Sequence, residues 1–285
     1  MLSGIICCPI CKKKNFRLVQ TLDVRRIVEC VNDSLVFVNP MTSKSEIAKI
    51  YGPDNFKNYG PYMENREAHL QYFGKKVDQI EKRAGKKGRV LDIGCATGFF
   101  LEMAQKKGWK AVGTDISDFA LRYCRKRGLE VKKGIISELK FKEKFDVVVS
   151  FQTIEHEQNP LEHLVSIYKT LKPKGLLVIT TPDHNVWSRK LLGRSWFGYK
   201  HHEHLFFLNK KSLKIMLEKS GFSWTEFFKD DQRVFKVGLY LKRINLYYPN
   251  PLVKKITNVV NRVIGNFSVV PFADPWGDMI IFARK

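Results

Sequence analysis

The chain has 285 residues, 44% of them apolar, with 50 Lys and Arg against 28 Asp and Glu, a formal net charge of +22. That is enough to bury a full core around one main domain with additions. No apolar run is long enough to span a bilayer, Met1 to Ile6 is too short for a secretory leader, and the six cysteines are not spaced as a disulfide framework, so a reducing cytoplasmic setting is expected.

Residues 1–45 read as a small β unit. Cys8-Pro9-Ile10-Cys11 has knuckle spacing, which lets two thiolates share one tetrahedral metal. The second half of such a ribbon should repeat C-x-x-C, but here it reads Cys30-Val31-Asn32-Asp33. Asp33 supplies an oxygen, Cys7 substitutes, or the unit holds no metal. An apolar phrase, Leu35 to Pro40, follows. Residues 46–85 are a linker rich in Tyr, Asn, Gly and Pro from Tyr51 to Tyr62, then a helix from Glu64 to Ala84.

From Arg89 strands alternate with helices. Arg89 to Ile93 is an apolar run that stops at Gly94-Cys95-Ala96-Thr97-Gly98, and Phe99 to Lys107 resumes with helical spacing. Lys110 to Thr114 is a second strand, ending at Asp115. Glu130 to Lys133 is a third, ending near Gly134. Phe145 to Ser150 is a fourth, apolar throughout. Leu161 to Leu171 is a helix broken by Lys172-Pro173-Lys174-Gly175, and Leu176 to Thr180 is a fifth strand. This pattern predicts an α/β fold with a doubly wound parallel sheet. A tight small-residue turn between strand and helix suits a ligand pressed against the mouth of such a sheet. Gly94 and Gly98 leave room for it, and Asp115 stands where a carboxylate takes both hydroxyls of a ribose.

The order Asp92-x-Gly94-x-Ala96-x-Gly98 is not the G-x-G-x-x-G of a dinucleotide site. It resembles the first motif of class I S-adenosylmethionine (SAM) methyltransferases, with Ala96 in place of the middle glycine. The phrases IEHEQNP from Ile154, LKPKGLLVITTP from Leu171 and HLFFLNKKSLKIMLEKSGF from His204 are similar to the small-molecule branch of that family. That branch includes ubiquinone-biosynthesis O-methyltransferases and sugar methyltransferases. The resemblance runs from Arg89 to Phe222 and includes a last strand, Met279 to Ala283. It implies a Rossmann-like, seven-stranded, mostly parallel sheet with helices on both faces and an antiparallel last strand beside the fifth. It implies SAM over Gly94, Cys95, Ala96 and Gly98, with its ribose at Asp115. The adenine would lie between Ile116 and the loop carrying Ile135. Asp92 would act through the loop and the amino-acid end, and Gln152 with Thr153 would line the methyl-transfer end. Related enzymes carry a four-cysteine ribbon in front, which makes Cys8, Cys11, Cys30 and Asp33 candidate Zn2+ ligands. They also place tyrosines over the site, which makes Tyr59 and Tyr62 lid residues.

Methyl transfer from a sulfonium needs alignment, and a hydroxyl acceptor also needs a base. His201-His202-Glu203-His204 supplies candidates: His202 or His204 as base, with Glu203 orienting it. A metal held by His202, His204 and Glu203 is a weaker reading. Glu155 and His156 follow the fourth strand, near SAM and acceptor in the family, and suit a supporting role. His184 and Asn185 would line the acceptor pocket, while His69 and His163 fall on helices as surface or packing residues.

Residues 86–285 thus form the methyltransferase domain, with insertions near 184–204 and 232–277. The expected acceptor is small or glycan-like: a sugar, a lipid-linked saccharide or a quinol, methylated at oxygen. The basic charge keeps a nucleic-acid methyltransferase in play. However, neither an Asn-Pro-Pro-Tyr or Asp-Pro-Pro-Tyr phrase nor a Pro-Cys follows the fourth strand. A non-catalytic protein of the same fold is the remaining alternative. Trp, Leu and Phe interleave with Arg and Lys from Val186 to Lys200. Asn250-Pro251 opens a basic amphipathic helix, with Leu252, Val253, Ile256, Val259, Val260, Val263 and Ile264 on one face. Such segments either pack on their own domain or touch an anionic membrane surface.

Overall fold

A computed structural model describes residues 6–22, 25–43, 45–46, 63–193, 196–200, 203–230, 235–236, 238, 241, 245, 250–265, 268–269 and 277–285. Tyr59, Tyr62, His201 and His202 lie outside these residues, as does most of the linker.

In chain order the elements are β1 (Phe16–Leu22), β2 (Arg25–Cys30), β3 (Val36–Val38), α1 (Arg66–Ala84), β4 (Arg89–Ile93), α2 (Phe99–Lys106) and β5 (Lys110–Asp115). Then come α3 (Asp118–Lys126), β6 (Val131–Lys133), β7 (Phe145–Phe151), α4 (Pro160–Thr170), β8 (Leu171–Pro182) and α5 (Trp187–Leu192). The last are β9 (Phe206–Phe207), α6 (Lys210–Lys219), β10 (Trp224–Lys229), β11 (Phe235–Lys236), α7 (Pro251–Ile264), β12 (Ser268–Val269) and β13 (Asp278–Arg284).

Seven strands form the central sheet in the order β10-β13-β8-β7-β4-β5-β6. β8, β7, β4, β5 and β6 are mutually parallel, and β13 inserts antiparallel between β8 and β10. This is the expected sheet. Its strands read as unbroken apolar runs because both faces are covered. Val148, Leu177, Ile179 and Ile281 face a core shared with α4 and α6. Val147, Val149, Val178 and Phe282 face Tyr72, Phe73, Val77 and Ile80 of α1 and Phe99, Phe100 and Leu101 of α2. Strand order reverses at β4, whose neighbours β5 and β7 lead away on opposite sides. Open α/β sheets bind ligands at such a switch point, outside the carboxyl ends of the strands.

Two expectations change. The fifth strand begins at Leu171 rather than Leu176, with a register irregularity that pairs Phe145 with Leu171 and then Val147 with Leu176. Lys174 absorbs it by taking a left-handed φ of 62°. Nor does the N-terminal ribbon stand apart as a unit. β3 pairs antiparallel with β9, and Cys8, Ile10, Cys30, Leu35 and Phe37 share one buried core with Leu205, Phe206 and Leu208.

A buried polar cluster braces the sheet's far edge. Lys76 of α1 reaches Asp230, just past β10, at 2.5 Å, and Asp230 also takes the Tyr72 hydroxyl. An ion pair this deeply enclosed is costly to break from one side, by about 3–5 kcal/mol.

Candidate active site

The loop after β4 alternates into left-handed backbone at Gly94 (φ 72°), Ala96 (φ 45°) and Gly98 (φ 76°). Ala96 holds that conformation without a glycine's freedom, so the surroundings must impose it. The backbone N–H groups of Gly94 and Cys95 both donate to Thr114 O, at 2.8 and 2.9 Å. Asp115 completes the clamp. Its Oδ2 accepts from Ala96 N at 2.9 Å and its Oδ1 from Ser117 N at 2.8 Å. The carboxylate therefore faces the loop, each oxygen retaining acceptor capacity for a ligand hydroxyl.

The two glycines need correction. A side chain at Gly94 would lie 2.5 Å from Thr153 Oγ1, and one at Gly98 would lie 2.6 Å from Leu129 and 2.8 Å from Cys124. The missing side chains make room for protein neighbours under the loop. Cys95 belongs to the same underside. It is buried, and the Cys124 thiol donates to Ala96 O at 3.3 Å.

Asp92 and Asp115 are 2% and 9% exposed. Burial drives the Asp92 carboxyl well above the usual range, with Cys124 and Asp115 adding to the rise. Burial raises Asp115 as well, while backbone N–H groups from Ser117, Ala96 and Ile116 pull it back. Two enclosed carboxyls beside one loop favour a cationic ligand. Ile116, at the end of β5, is exposed, and Ile135 is half-buried.

At the neighbouring strand end, Gln152 takes a left-handed φ of 51° and donates its N–H to Thr180 O at 2.8 Å. Its Nε2 is buried without a hydrogen-bond partner, a donor left for a ligand. Thr153 Oγ1 donates to Ile93 O at 3.2 Å, tying this turn to the glycine loop. S-adenosylmethionine fits this set: a cation for the carboxyls, ribose hydroxyls for Asp115 and an acceptor for Gln152.

The turn continues into Glu155 and His156, where two distant phrases meet. Leu205 N donates to Glu155 O at 2.9 Å, and His156 Nδ1–H donates to Glu203 O at 3.0 Å. The His156 and His204 rings lie edge to face, 4.9 Å apart. Glu155 is 1% exposed; its Oε2 accepts from Thr181 Oγ1 at 3.0 Å, and its Oε1 lies 4.0 Å from His156 Nε2. One ligating atom from each of Glu155, His156 and His204 falls within 4.8 Å of the others. A carbonyl can only accept, so Nδ1 carries the proton, and in a neutral His156 the lone pair is on Nε2, the atom nearer Glu155. His204 thus stands beside His156 and Glu155. Glu203 contributes its main-chain carbonyl. Thr181 and the Glu155–Leu205 bridge carry no local sequence signal.

His184, expected to line the acceptor pocket, sits in an aromatic enclosure beside a cleft. It is buried, shares a 2.6 Å hydrogen bond with the Tyr199 hydroxyl, and packs against Trp196, Tyr199 and Phe207. Burial, helped by the Arg189 charge, lowers its pKa to about 3, so the ring is neutral. It forms the inner wall of a cleft of about 420 Å³ whose rim carries Arg17, Asn185, Arg189 and Lys211. His163 is buried and lies 3.3 Å from Glu157, a packing role as expected.

In the ribbon, one atom each from Cys8, Cys11, Cys30 and Asp33 lies within 4.8 Å of the other three. Cys8 Sγ and Asp33 Oδ2 are 3.1 Å apart, Cys11 Sγ and Cys30 Sγ 3.5 Å, and Ile10 N donates to Cys8 Sγ at 3.4 Å. Cys7 is exposed and outside this group. Three thiols and one carboxylate at this separation fit a tetrahedral zinc.

The profile of a family described as "Methyltransferase domain" matches residues 62–226, more than half of the chain. The chain belongs to the methyltransferase-domain family. The ubiquinone biosynthesis O-methyltransferase of Rickettsia bellii is 27% identical over 146 residues, covering 46% of this methyltransferase and 60% of that protein. The corresponding protein of Dinoroseobacter shibae is 30% identical over 146 residues, covering 47% and 59%. The matches thus span about three fifths of these curated relatives' length. A SAM-dependent methyltransferase structure from Archaeoglobus fulgidus aligns over 81% of this chain and 100% of its own, with TM-score 0.53 and 21% identity. Haemonchus contortus phosphoethanolamine N-methyltransferase 2 aligns over 88% and 63%, with TM-score 0.56 and 18% identity. Both share the fold of this methyltransferase. Among the described residues no helix is long and apolar enough to cross a membrane.

Proposed function

We propose that this methyltransferase uses SAM to methylate an oxygen of a small or glycan-like acceptor, with the His156–His204 pair as the base. One observation carries the reading: Glu155, His156 and His204 converge at the strand edge that also carries the glycine loop and Gln152. SAM, when bound, supplies a methyl group on a sulfonium, and the methyl–sulfur bond breaks as the methyl–oxygen bond forms, its electron pair returning to sulfur. The acceptor hydroxyl's proton passes to an imidazole nitrogen of this pair, in His156 the Nε2 that carries the lone pair. Glu155, with Thr181 on its other oxygen, stabilises the imidazolium that results. Asp115 and Asp92 hold the cofactor, and Tyr59 and Tyr62 are the lid candidates. Arg189 and Lys211 in the cleft lining, beside the Arg17–Glu29 ion pair, suit an acceptor carrying phosphate, such as a nucleotide sugar or lipid-linked saccharide; a quinol is the other acceptor in this class.

The three-residue cluster favours one second reading, a divalent cation held by Glu155, His156 and His204. Zinc in the ribbon, on Cys8, Cys11, Cys30 and Asp33, belongs to the proposal as a structural site. The test is a panel of nucleotide sugars, lipid-linked saccharides, quinols and RNA incubated with SAM and read by mass spectrometry. A gain of one methyl on a sugar or quinol oxygen supports the reading, and methylation of RNA alone overturns it. Activity lost to a chelator and restored by a divalent ion selects the cation reading over the metal-free base.

A further inference from the structure

Helix α7 carries its apolar face outward. Asn250 caps it, its side-chain oxygen accepting from Leu252 N at 2.8 Å and Val253 N at 3.4 Å, with Pro251 in the first turn. At about 100° per residue, Leu252, Ile256, Val259 and Val263 share an arc of roughly 60°. They are 66%, 54%, 57% and 73% exposed. The buried residue is Thr257, on another face, whose hydroxyl donates to Asn245 Oδ1 at 2.8 Å. A helix that packs on its own domain has these faces the other way round. The four aliphatic residues form a stripe that the described fold leaves to something outside itself.

Charge selects the occupant. Between Gln232 and Ala273 there is no Asp or Glu, while Arg233, Lys236, Lys242, Arg243, Lys254, Lys255 and Arg262 are all present. On the helical projection Lys255 and Arg262 border the stripe, and both are exposed. A second copy of a chain with net charge +22 would set cation against cation there. An anionic bilayer matches both features, taking aliphatic side chains at its acyl boundary and cations at its phosphates. The helix is about 21 Å long, too short to span the roughly 30 Å hydrocarbon core, so it lies in the plane. The other insertion repeats the composition on α5, where Trp187, Leu191 and Leu192 are exposed beside Arg189 and Lys190.

We propose that α7 is an in-plane anchor that seats the Leu252–Ile256–Val259–Val263 stripe in the surface of an anionic phospholipid bilayer, with Lys255 and Arg262 on the lipid phosphates. This goes beyond the acceptor reading and does not depend on it.

The test is co-sedimentation of the full chain with phosphatidylcholine vesicles that contain or lack phosphatidylglycerol, at low and high salt. The chain binds the anionic vesicles at low salt and leaves them at high salt. Ile256→Asp with Val259→Asp weakens partitioning by on the order of a hundredfold. Lys255→Gln and Arg262→Gln each weaken it by about fivefold. SAM binding, measured by calorimetry without vesicles, stays unchanged in all of these variants, so a folding defect or a failed active-site reading is seen separately. Failure of the wild type to sediment with anionic vesicles at low salt overturns the proposal, as does full binding by the double Asp variant. Sedimentation velocity covers the rival occupant: a dimer that the Asp variant splits, with no vesicle capture, also overturns it.

Discussion

The cofactor side and the acceptor side are built by different rules. On the cofactor side, the loop from Gly94 to Gly98 is held by Asp115 across 19 residues and touched by Cys124 across 28. Consecutive strand–helix units bring these partners together as they fold. On the acceptor side, His156 meets Glu203 across 47 residues, and Asn209 Nδ2 donates to Ser34 O across 175. Here separate segments, including the N-terminal sheet, dock on one another at the same strand edge. The loop of the first region is held chiefly within one strand–helix–strand stretch, with Thr153 joining it across 60 residues; the second region exists only after tertiary packing. Such an arrangement lets the acceptor side change while the cofactor cradle stays intact, since function resides in what is grafted on the scaffold.

The sharpest test of that separation is in the histidine pair, which also has the largest expected effect. His156→Gln and His204→Gln should each lower kcat by about 10²–10⁴-fold, the usual contribution of a positioned base. The SAM dissociation constant, measured by calorimetry, should not move. A parallel loss of SAM affinity would mean the two sides act as one structure, and the comparison would fail.

Next in size is the ribbon. Because its strands share a core with β9, loss of the proposed zinc should loosen the acceptor side first. Cys30→Ala should abolish zinc binding, read by elemental analysis, and lower unfolding stability by on the order of 3 kcal/mol, because metal binding and folding are linked. SAM affinity at temperatures where the protein stays folded should persist. Zinc-free wild-type protein of undiminished stability would count against the site.

A smaller change is expected from Asp115→Asn. The carboxylate's charge-assisted hydrogen bonds are worth about 1.5–3 kcal/mol, so SAM affinity should fall about 10–100-fold. At saturating SAM, kcat should stay near wild type. Unaltered binding would remove Asp115 from the ribose, and a large kcat loss would again blur the two regions.

What the sequence disclosed follows the same divide. The central strands are long apolar runs bounded by turns, so β4, β5, β7 and the antiparallel β13 could be read directly, as could Asp92, Asp115 and the capped start of α7. The glycines were legible as a loop, yet their neighbours were not: nothing local tells that Thr153 fills the space beside Gly94. His204 and the Glu155–His156 pair each stood out alone. Their convergence was hidden because it depends on Leu205 bridging to Glu155 from another loop. The surroundings of His184 were hidden for a related reason. Its position after the fifth strand suggested a ligand wall, but Trp196 and Tyr199, from a later segment, enclose most of it.

The two sides also titrate in opposite directions, which supplies the smallest predicted effect. Asp92 is raised well above its unfolded value by burial, so the folded state keeps its proton longer. Its stabilising contribution is full below the ordinary carboxylate range and is lost as pH rises through the raised value. His184 is the reverse: burial depresses it from 6.5 to about 3, so the folded state sheds its proton earlier. Stability from His184 is full above its unfolded value and falls as the pH drops toward the depressed one, by on the order of 2 kcal/mol between about pH 7 and pH 5. Urea unfolding across pH should therefore give two limbs with separable causes. His184→Gln keeps a polar partner for Tyr199 and removes the titration, so it should flatten the acid limb alone. Asp92→Asn should flatten only the fall that sets in above the ordinary carboxylate range. If either substitution flattened both limbs, the titrating groups would be communicating across the sheet, and the independence of the two regions would have to be abandoned.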